Sequence, residues 1–254
     1  MLLKSDLIKY KDITGFNLGQ IEKDYIQHLF LMNLYQKSTK NLIFKGGTAL
    51  QKTYSLNRFS EDLDFTLIKK IDIENILQKV LKNLKIFGCE ALQKKIKEDK
   101  ISINYQIKAK GPLYSGQDKS QTYINIEISK REKILLDTEL NSIIPIYKDI
   151  SPYLLITMNP SEIMSEKIRA ILTRDKARDI YDLYFLIKKD FKTSRKIINK
   201  KLSYYNKTFD EKNFKEAILK KQKIWNKELK QLTRFVPESE KVKKIIFSFD
   251  YLEG

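Results

Sequence analysis

The chain has a single cysteine, Cys89, and a single histidine, His28, among 254 residues. One cysteine excludes an internal disulfide framework. His28 falls on an apolar helical stripe, which reads as a packed core residue rather than a base or a ligand. Zinc sites and Ser-His-Asp or Cys-His catalysis are thereby excluded as mechanisms the chain supplies by itself. No apolar run approaches the length that spans a membrane. The start, MLLKSD, meets polar residues too soon for a signal peptide, so a cytoplasmic protein is expected. Internal repeats and low-complexity linkers are also missing. An enzyme built from this chain must work with carboxylates, lysine, a bound metal and its substrate's own hydroxyl.

Positive charge is abundant. Lysine and arginine number 49 against 32 acids, a net +17, which points to a polyanionic partner, nucleic acid first. From residue 188 on there are 19 basic against 9 acidic residues, so this last quarter carries +10 of the excess. Lysine as the default surface residue of an AT-biased genome is the plainer explanation for any one of them. With 42% hydrophobic residues, the chain can bury one good core and a smaller second one.

Periodicity divides the chain. Residues 21–35 and 73–87 carry helical apolar stripes. Strict alternation follows in Ile101, Ile103, Tyr105, Ile107 and in Thr122, Ile124, Ile126, Ile128, which predicts a sheet, with 108–121 as a hairpin loop. From Asn159 every segment reads helical, including Ile197, Ile198, Leu202 and Phe214, Ile218, Leu219. The expected class is α+β: a mixed sheet with helices over 1–158, then an all-helical lobe with a basic surface over 159–254.

One segment reads as chemistry. Leu42 to Lys45 suits a buried strand and Thr48 to Tyr54 suits a helix, so Gly46 and Gly47 lie at the turn between them, where free backbone N–H groups can receive phosphate. It is not a P-loop, since no second glycine followed by Lys and Ser or Thr stands at the required spacing. Shortly after, Asp62-Leu63-Asp64-Phe65-Thr66-Leu67 alternates with period 2. That places Leu63, Phe65 and Leu67 in the core and both aspartates on the other face, where two carboxylates can share a cation. In Tyr123, Asn125, Glu127 and Ser129 the polar residues again share one strand face, so Glu127 can project to the same side. An exposed edge-strand charge is the plainer reading of Glu127.

These residues, FKGGTAL, KTY and FSEDLDF in this order, resemble the AbiEii/AbiGii toxin family of the polymerase-beta-like nucleotidyltransferase superfamily. Residues 21–35 resemble its leading helix and 165–186 its second signature block, so the likeness spans roughly residues 15 to 190. The resemblance implies a nucleotidyltransferase-type sheet, a magnesium site on Asp62, Asp64 and a third carboxylate at Glu127, and triphosphate held by Lys45, Gly46, Gly47 and Thr48. It implies a type IV toxin–antitoxin or abortive-infection toxin, some of which transfer nucleotides to tRNA ends, with a cognate antitoxin as possible partner.

The second block holds three further residues. Asn159, Pro160 and Glu162 are a strong helix start. Ile163, Met164, Lys167, Ile168 and Ile171 then form one stripe, where a lysine is costly unless it meets an anion. A stem packed along the core with the ammonium reaching solvent is the plainer alternative. The resemblance places the family's motif lysine at Lys167, implying a phosphate-binding role. Asp175 reads as N-cap of the next helix, whose core face is Ile180, Leu183, Tyr184 and Ile187. Asp179 borders that face and Asp182 lies further round. The family signature matches both aspartates, while pairing of Asp179 with Lys167 or Arg178 would make it an orienting group.

The expected function is a magnesium-dependent nucleotidyltransferase that joins a nucleoside monophosphate from an NTP to an RNA, tRNA foremost, releasing pyrophosphate. Two alternatives remain: an antibiotic-modifying nucleotidyltransferase, and a non-catalytic nucleic-acid-binding module.

Overall fold

The computed structural model describes residues 1–37 and 40–250. Ten α-helices and seven strands are seen among them. The first part carries α1 (Lys4–Lys9), α2 (Lys11–Thr14), α3 (Leu18–Lys37), β1 (Leu42–Lys45), α4 (Gly46–Tyr54), β2 (Leu63–Leu67) and α5 (Ile73–Ile86). The strands β3 (Glu90–Glu98), β4 (Ser102–Lys110), β5 (Thr122–Ser129), β6 (Glu139–Ile143) and β7 (Tyr153–Thr157) follow. Then come α6 (Pro160–Thr173), α7 (Ala177–Lys188), α8 (Arg195–Ser203), α9 (Glu211–Leu229) and α10 (Ser239–Phe247). The class is α+β, as the sequence predicts.

The chain forms two compact units. The first comprises Met1–Ser55, Phe59–Ile134 and Thr138–Thr157; the second comprises Leu56–Arg58, Leu135–Asp137 and the chain from Met158 onward.

In the first unit the seven strands form one mixed sheet, ordered β3-β4-β5-β2-β1-β7-β6. The alternation in β5 decides its faces: Ile124, Ile126 and Ile128 are buried, whereas Tyr123, Asn125 and Glu127 are exposed. Helix α3 packs on β5 and β7 and against α5, covering the apolar face. Residues Ile21 to Tyr35 of α3 are therefore buried almost all round, except Lys23, rather than along one stripe. His28 lies inside as expected, its Nδ1 2.8 Å from the Tyr153 hydroxyl. Ile101 departs from the expected alternation. It is exposed and precedes β4, because the Asp99 carboxylate accepts the Ile101 and Ser102 amides at 2.7 and 2.8 Å and turns the chain there.

The second unit is helical. Its core joins Ile163, Ile168 and Ile171 of α6 with Ile180, Leu183 and Leu186 of α7, Ile198 and Leu202 of α8, and Phe214, Ile218 and Trp225 of α9. Asn159 caps α6 by accepting the Ser161 amide at 2.9 Å, with Pro160 in the first turn. Glu162 does not complete a capping box. It is buried, accepts the Leu135 and Leu136 amides at 2.9 Å each, and pairs with Lys201 at 2.6 Å. Asp175 is not the cap of α7 either: that helix starts after Lys176, and its first amide, Ala177 N–H, is accepted by Glu228 of α9 at 2.6 Å. A long-range carboxylate has taken the place of the local one.

Candidate active site

Strand register assembles the site in the first unit. Lys45 of β1 pairs with Asp64 of β2, and Asp64 pairs with Glu127 of β5, so the three share one row on one face. The neighbouring row holds Asp62, whose Oδ1 accepts from Asn125 Nδ2 at 3.0 Å. The sheet thus brings Asp62, Asp64 and Glu127 to one face.

The glycine turn is built for close approach. Gly46 opens α4 with φ +77°, and a Cβ there would overlap the Asp64 Oδ2 and lie 3.2 Å from the Asp64 Cγ. Only glycine supplies both that backbone and that space. The leading amides of α4 have no partner within the helix and lie next to the carboxylates, an arrangement that suits a phosphate accompanied by a cation. The Thr48 hydroxyl donates to the Asp62 carbonyl at 2.5 Å, tying α4 to the start of β2 and leaving its amide for any ligand. Lys45 is buried, its Nζ 3.4 Å from Glu132 Oε2. Glu132 carries no signal in the sequence, because it follows β5 in an irregular segment with no period to place it.

Magnesium takes hard oxygen donors and is commonly held by one or two carboxylates, with water and phosphate completing the shell. Asp62 and Asp64 match that donor set. Among the described residues no three His, Cys, Asp or Glu side chains are arranged to hold an ion. The residues fit a cation shared with a phosphate, not one caged by protein alone.

The segment that delivers Asp62 is clamped from below. Gln27 donates to the Ser60 and Glu61 carbonyls at 3.1 and 2.8 Å, and Gln51 accepts the Ser60 amide at 2.9 Å while donating to Asp24 at 2.8 Å. Asp24 also binds Lys52 and accepts from the Tyr147 hydroxyl at 2.7 Å. Burial would raise the Asp24 carboxyl, yet Lys52 and His28 outweigh it and hold it below the usual range.

In the second unit Lys167 does meet anions, and they belong to the protein. Its ammonium lies 2.6 Å from Asp182 and 3.3 Å from Asp179. Both aspartates are fully buried, in contrast to the border and outlying positions expected of them. Arg174 binds Asp179 through two bonds of 2.7 and 2.8 Å, and Arg58 binds Asp182 through two of 2.6 and 2.7 Å. Burial alone would raise both acids, but Lys167 and Arg174 at Asp179, and Arg58 and Lys167 at Asp182, hold them below the carboxylate range. Arg178 approaches Glu228 at 3.9 Å instead of Asp179. Arg58 was not foreseen: it lies between the glycine helix and the Asp-x-Asp strand, in a stretch without periodicity.

The basic lobe is less exposed than its composition implies. Lys201 is buried between Glu162 and Glu166, and Lys221 is buried with its Nζ 2.8 Å from the Ile171 carbonyl at the end of α6. Lys207 donates to the Leu172 carbonyl at 3.0 Å. These lysines cap a helix or neutralise internal acids. A cleft of about 620 Å³ beside them is lined by Arg174, Lys207, Lys220, Asp175 and Glu216 among others. No helix among the described residues is long and apolar enough to cross a membrane.

Comparison with known proteins adds the family. The model described as nucleotidyl transferase AbiEii toxin, type IV TA system, matches residues 30–248. Among solved structures, MenT4, a nucleotidyltransferase toxin from Mycobacterium tuberculosis, is similar with TM-score 0.65 and 20% identity, covering 98% of this chain and 89% of that one. JHP933 from Helicobacter pylori is similar with TM-score 0.63 and 22% identity, covering 91% and 90%. No curated protein matches the sequence.

Proposed function

Since the chain belongs to the AbiEii family of nucleotidyltransferase toxins of type IV toxin–antitoxin systems, we propose that it transfers a nucleoside monophosphate from an NTP to a hydroxyl of RNA, tRNA foremost, using magnesium, and that an antitoxin restrains it. One observation carries the reading: the Lys45, Asp64, Glu127 row lies beside the Asn125–Asp62 pair, with the backbone of Gly46 against the Asp64 carboxylate.

Asp62 and Asp64 would hold magnesium, which when bound neutralises phosphate charge and makes the α-phosphorus a better electrophile. The amides of Gly46, Gly47 and Thr48 would donate to the triphosphate. Lys45, buried beside Asp64, adds positive charge near it. The acceptor oxygen bonds to the α-phosphorus as the bond to pyrophosphate breaks, and the hydroxyl proton passes to a base, for which Glu127 has the right face and exposure. Positioning and charge neutralisation do most of the work. In the second unit we assign Lys167 a part in the reaction, with Asp179 and Asp182 holding and orienting its ammonium.

The test supplies each α-labelled NTP with magnesium to the purified protein, together with total RNA or, in parallel, an aminoglycoside. Label should enter RNA, and Asp64→Ala should abolish it while the protein keeps its fold, since that change relieves repulsion between two neighbouring carboxylates. Label on an aminoglycoside and never on RNA would favour the antibiotic-modifying alternative. A folded Asp64→Ala protein with near-normal transfer would remove the metal assignment.

A further inference from the structure

The face of the sheet that carries the carboxylates continues, uncovered, across β5, β4 and β3. Register sets Asn104 beside Glu127, Gln106 between Asn125 and Lys94, and Lys108 beside Tyr123. The amides form a chain that ends on the site: Gln106 Nε2 donates to Asn125 Oδ1 at 3.2 Å, and Asn125 Nδ2 donates to Asp62 Oδ1 at 3.0 Å. Next to them Asn104 is half-buried, and its Oδ1, itself shielded from solvent, has no hydrogen-bond partner. Tyr123 is 36% exposed, with the Lys108 ammonium over its ring, 5.9 Å from the ring centre. Tyr123 and Glu127 stand four residue steps apart along β5, about 13 Å at the rise of a β-strand.

We infer that this open β3–β4–β5 face binds the unpaired end of the acceptor RNA and leads its terminal hydroxyl to Asp62 and Asp64. The inference rests on the RNA-transfer reading and adds the surface and the form of the RNA.

Charge and chemistry both select that occupant. At the β3 edge of the sheet, beyond the far end of this face, Lys108 and Lys110 of β4 and Lys82 and Lys85 of α5 line a cleft of about 350 Å³ that has one acid, Glu90. Lys108 and Lys110 pair with Asp118 and Glu90, whose side chains are 84% and 57% exposed. Such surface pairs contribute little, so a phosphate can replace the acid. An exposed ring offers an unpaired base a stacking platform, and side-chain amides can meet base edges. A duplex has its bases already stacked and paired, and cannot use either. In the second unit the lysines around the α6 end are partly spent on helix carbonyls, which leaves less charge for a ligand.

The experiment titrates the whole protein against a fluorescein-labelled single-stranded RNA with a free 3′ hydroxyl, without NTP or magnesium, over a range of salt. The same RNA in a blunt duplex is the second probe. The single strand should bind more tightly. Tyr123→Ala should weaken it by about tenfold, whereas Tyr123→Phe keeps the affinity. Lys108→Ala combined with Lys110→Ala should reduce the slope of log K against log salt by about one to two. Lys207→Ala with Lys220→Ala, in the second-unit cleft, should change neither. Melting followed by circular dichroism checks that each variant is folded. If wild type binds RNA but the Tyr123 and Lys108/Lys110 variants bind as well as it does, this surface is not the platform. If the loss follows Lys207 and Lys220 instead, the acceptor docks on the helical unit. Failure of wild type to bind either RNA would overturn the RNA-transfer reading and this inference together.

Discussion

At Gly46 the backbone stands at φ +77° with the Asp64 carboxylate against the position a side chain would take. Gly46→Ala must therefore strain the turn and push Asp64 aside. We expect a loss of about 1–2 kcal/mol in urea denaturation together with loss of nucleotide transfer, and normal transfer by a folded variant would show that Asp64 need not stand where it does. Arg58 is a residue of a different kind. Its guanidinium is buried and binds Asp182 through Nε and Nη2. Arg58→Met leaves that carboxylate with Lys167 as its remaining described cation, and breaking a buried pair of this type costs about 3–5 kcal/mol. A denaturation midpoint equal to wild type would mean that Asp182 takes up a proton or finds another partner at little cost. Lys167 was legible as an anion-seeking lysine because an ammonium on an apolar stripe is anomalous in any helix. Arg58 was not, because no periodicity marks the residue that a distant aspartate will require.

Helix α6 illustrates what local sequence can and cannot say about an element. Its beginning is written locally in Asn159 and Pro160, and Asn159→Ala should lower stability by about 1 kcal/mol by removing the bond to the Ser161 amide. An unchanged melting temperature would show that water replaces the cap fully. Its end is secured from α9, where Lys221 donates to the Ile171 carbonyl. Lys221→Met should then destabilise the protein yet leave the salt dependence of RNA binding unchanged, whereas a change at its exposed neighbour Lys220 should alter neither stability nor salt dependence. A reduced salt slope for Lys221→Met would return this lysine to the ligand-binding surface. The start of α7 repeats the lesson, since Glu228 serves the amide that Asp175 was expected to cap. Capping by sequence neighbours can be read from spacing; capping by another helix depends on packing.

For the molecule as a whole, having a single histidine makes one pH effect separable. Burial, with Lys52 nearby, pushes His28 down to about 3, against the attraction of Asp24. The folded state therefore keeps the ring neutral while an unfolded chain would protonate it near 6.5. Stability contributed this way is present above about 6.5 and declines as pH falls from there toward 3, by up to about 1.4 kcal/mol per unit. Glu22, raised chiefly by burial, tilts the opposite way, so the comparison is between wild type and His28→Gln over pH 4.5 to 7. The difference between their denaturation curves should grow on acidification, and parallel profiles would mean that His28 is protonated in the fold. Below about 4 the depressed Asp179 and Asp182 carboxylates add a further loss, because unfolding then takes up protons. What the amino-acid sequence determined by itself is periodic or local: the α+β class, the glycine turn, the alternation that sets Asp62, Asp64 and Glu127 on the polar faces of their strands, and the cap of α6. Each follows from backbone geometry that repeats every two or 3.6 residues. What only the tertiary structure decided is which strands lie side by side, and so which carboxylates meet, and which of the many lysines remain free for a ligand. Strand order, and the burial of Lys201 and Lys221, depend on contacts between residues distant in the chain, and no local pattern encodes them.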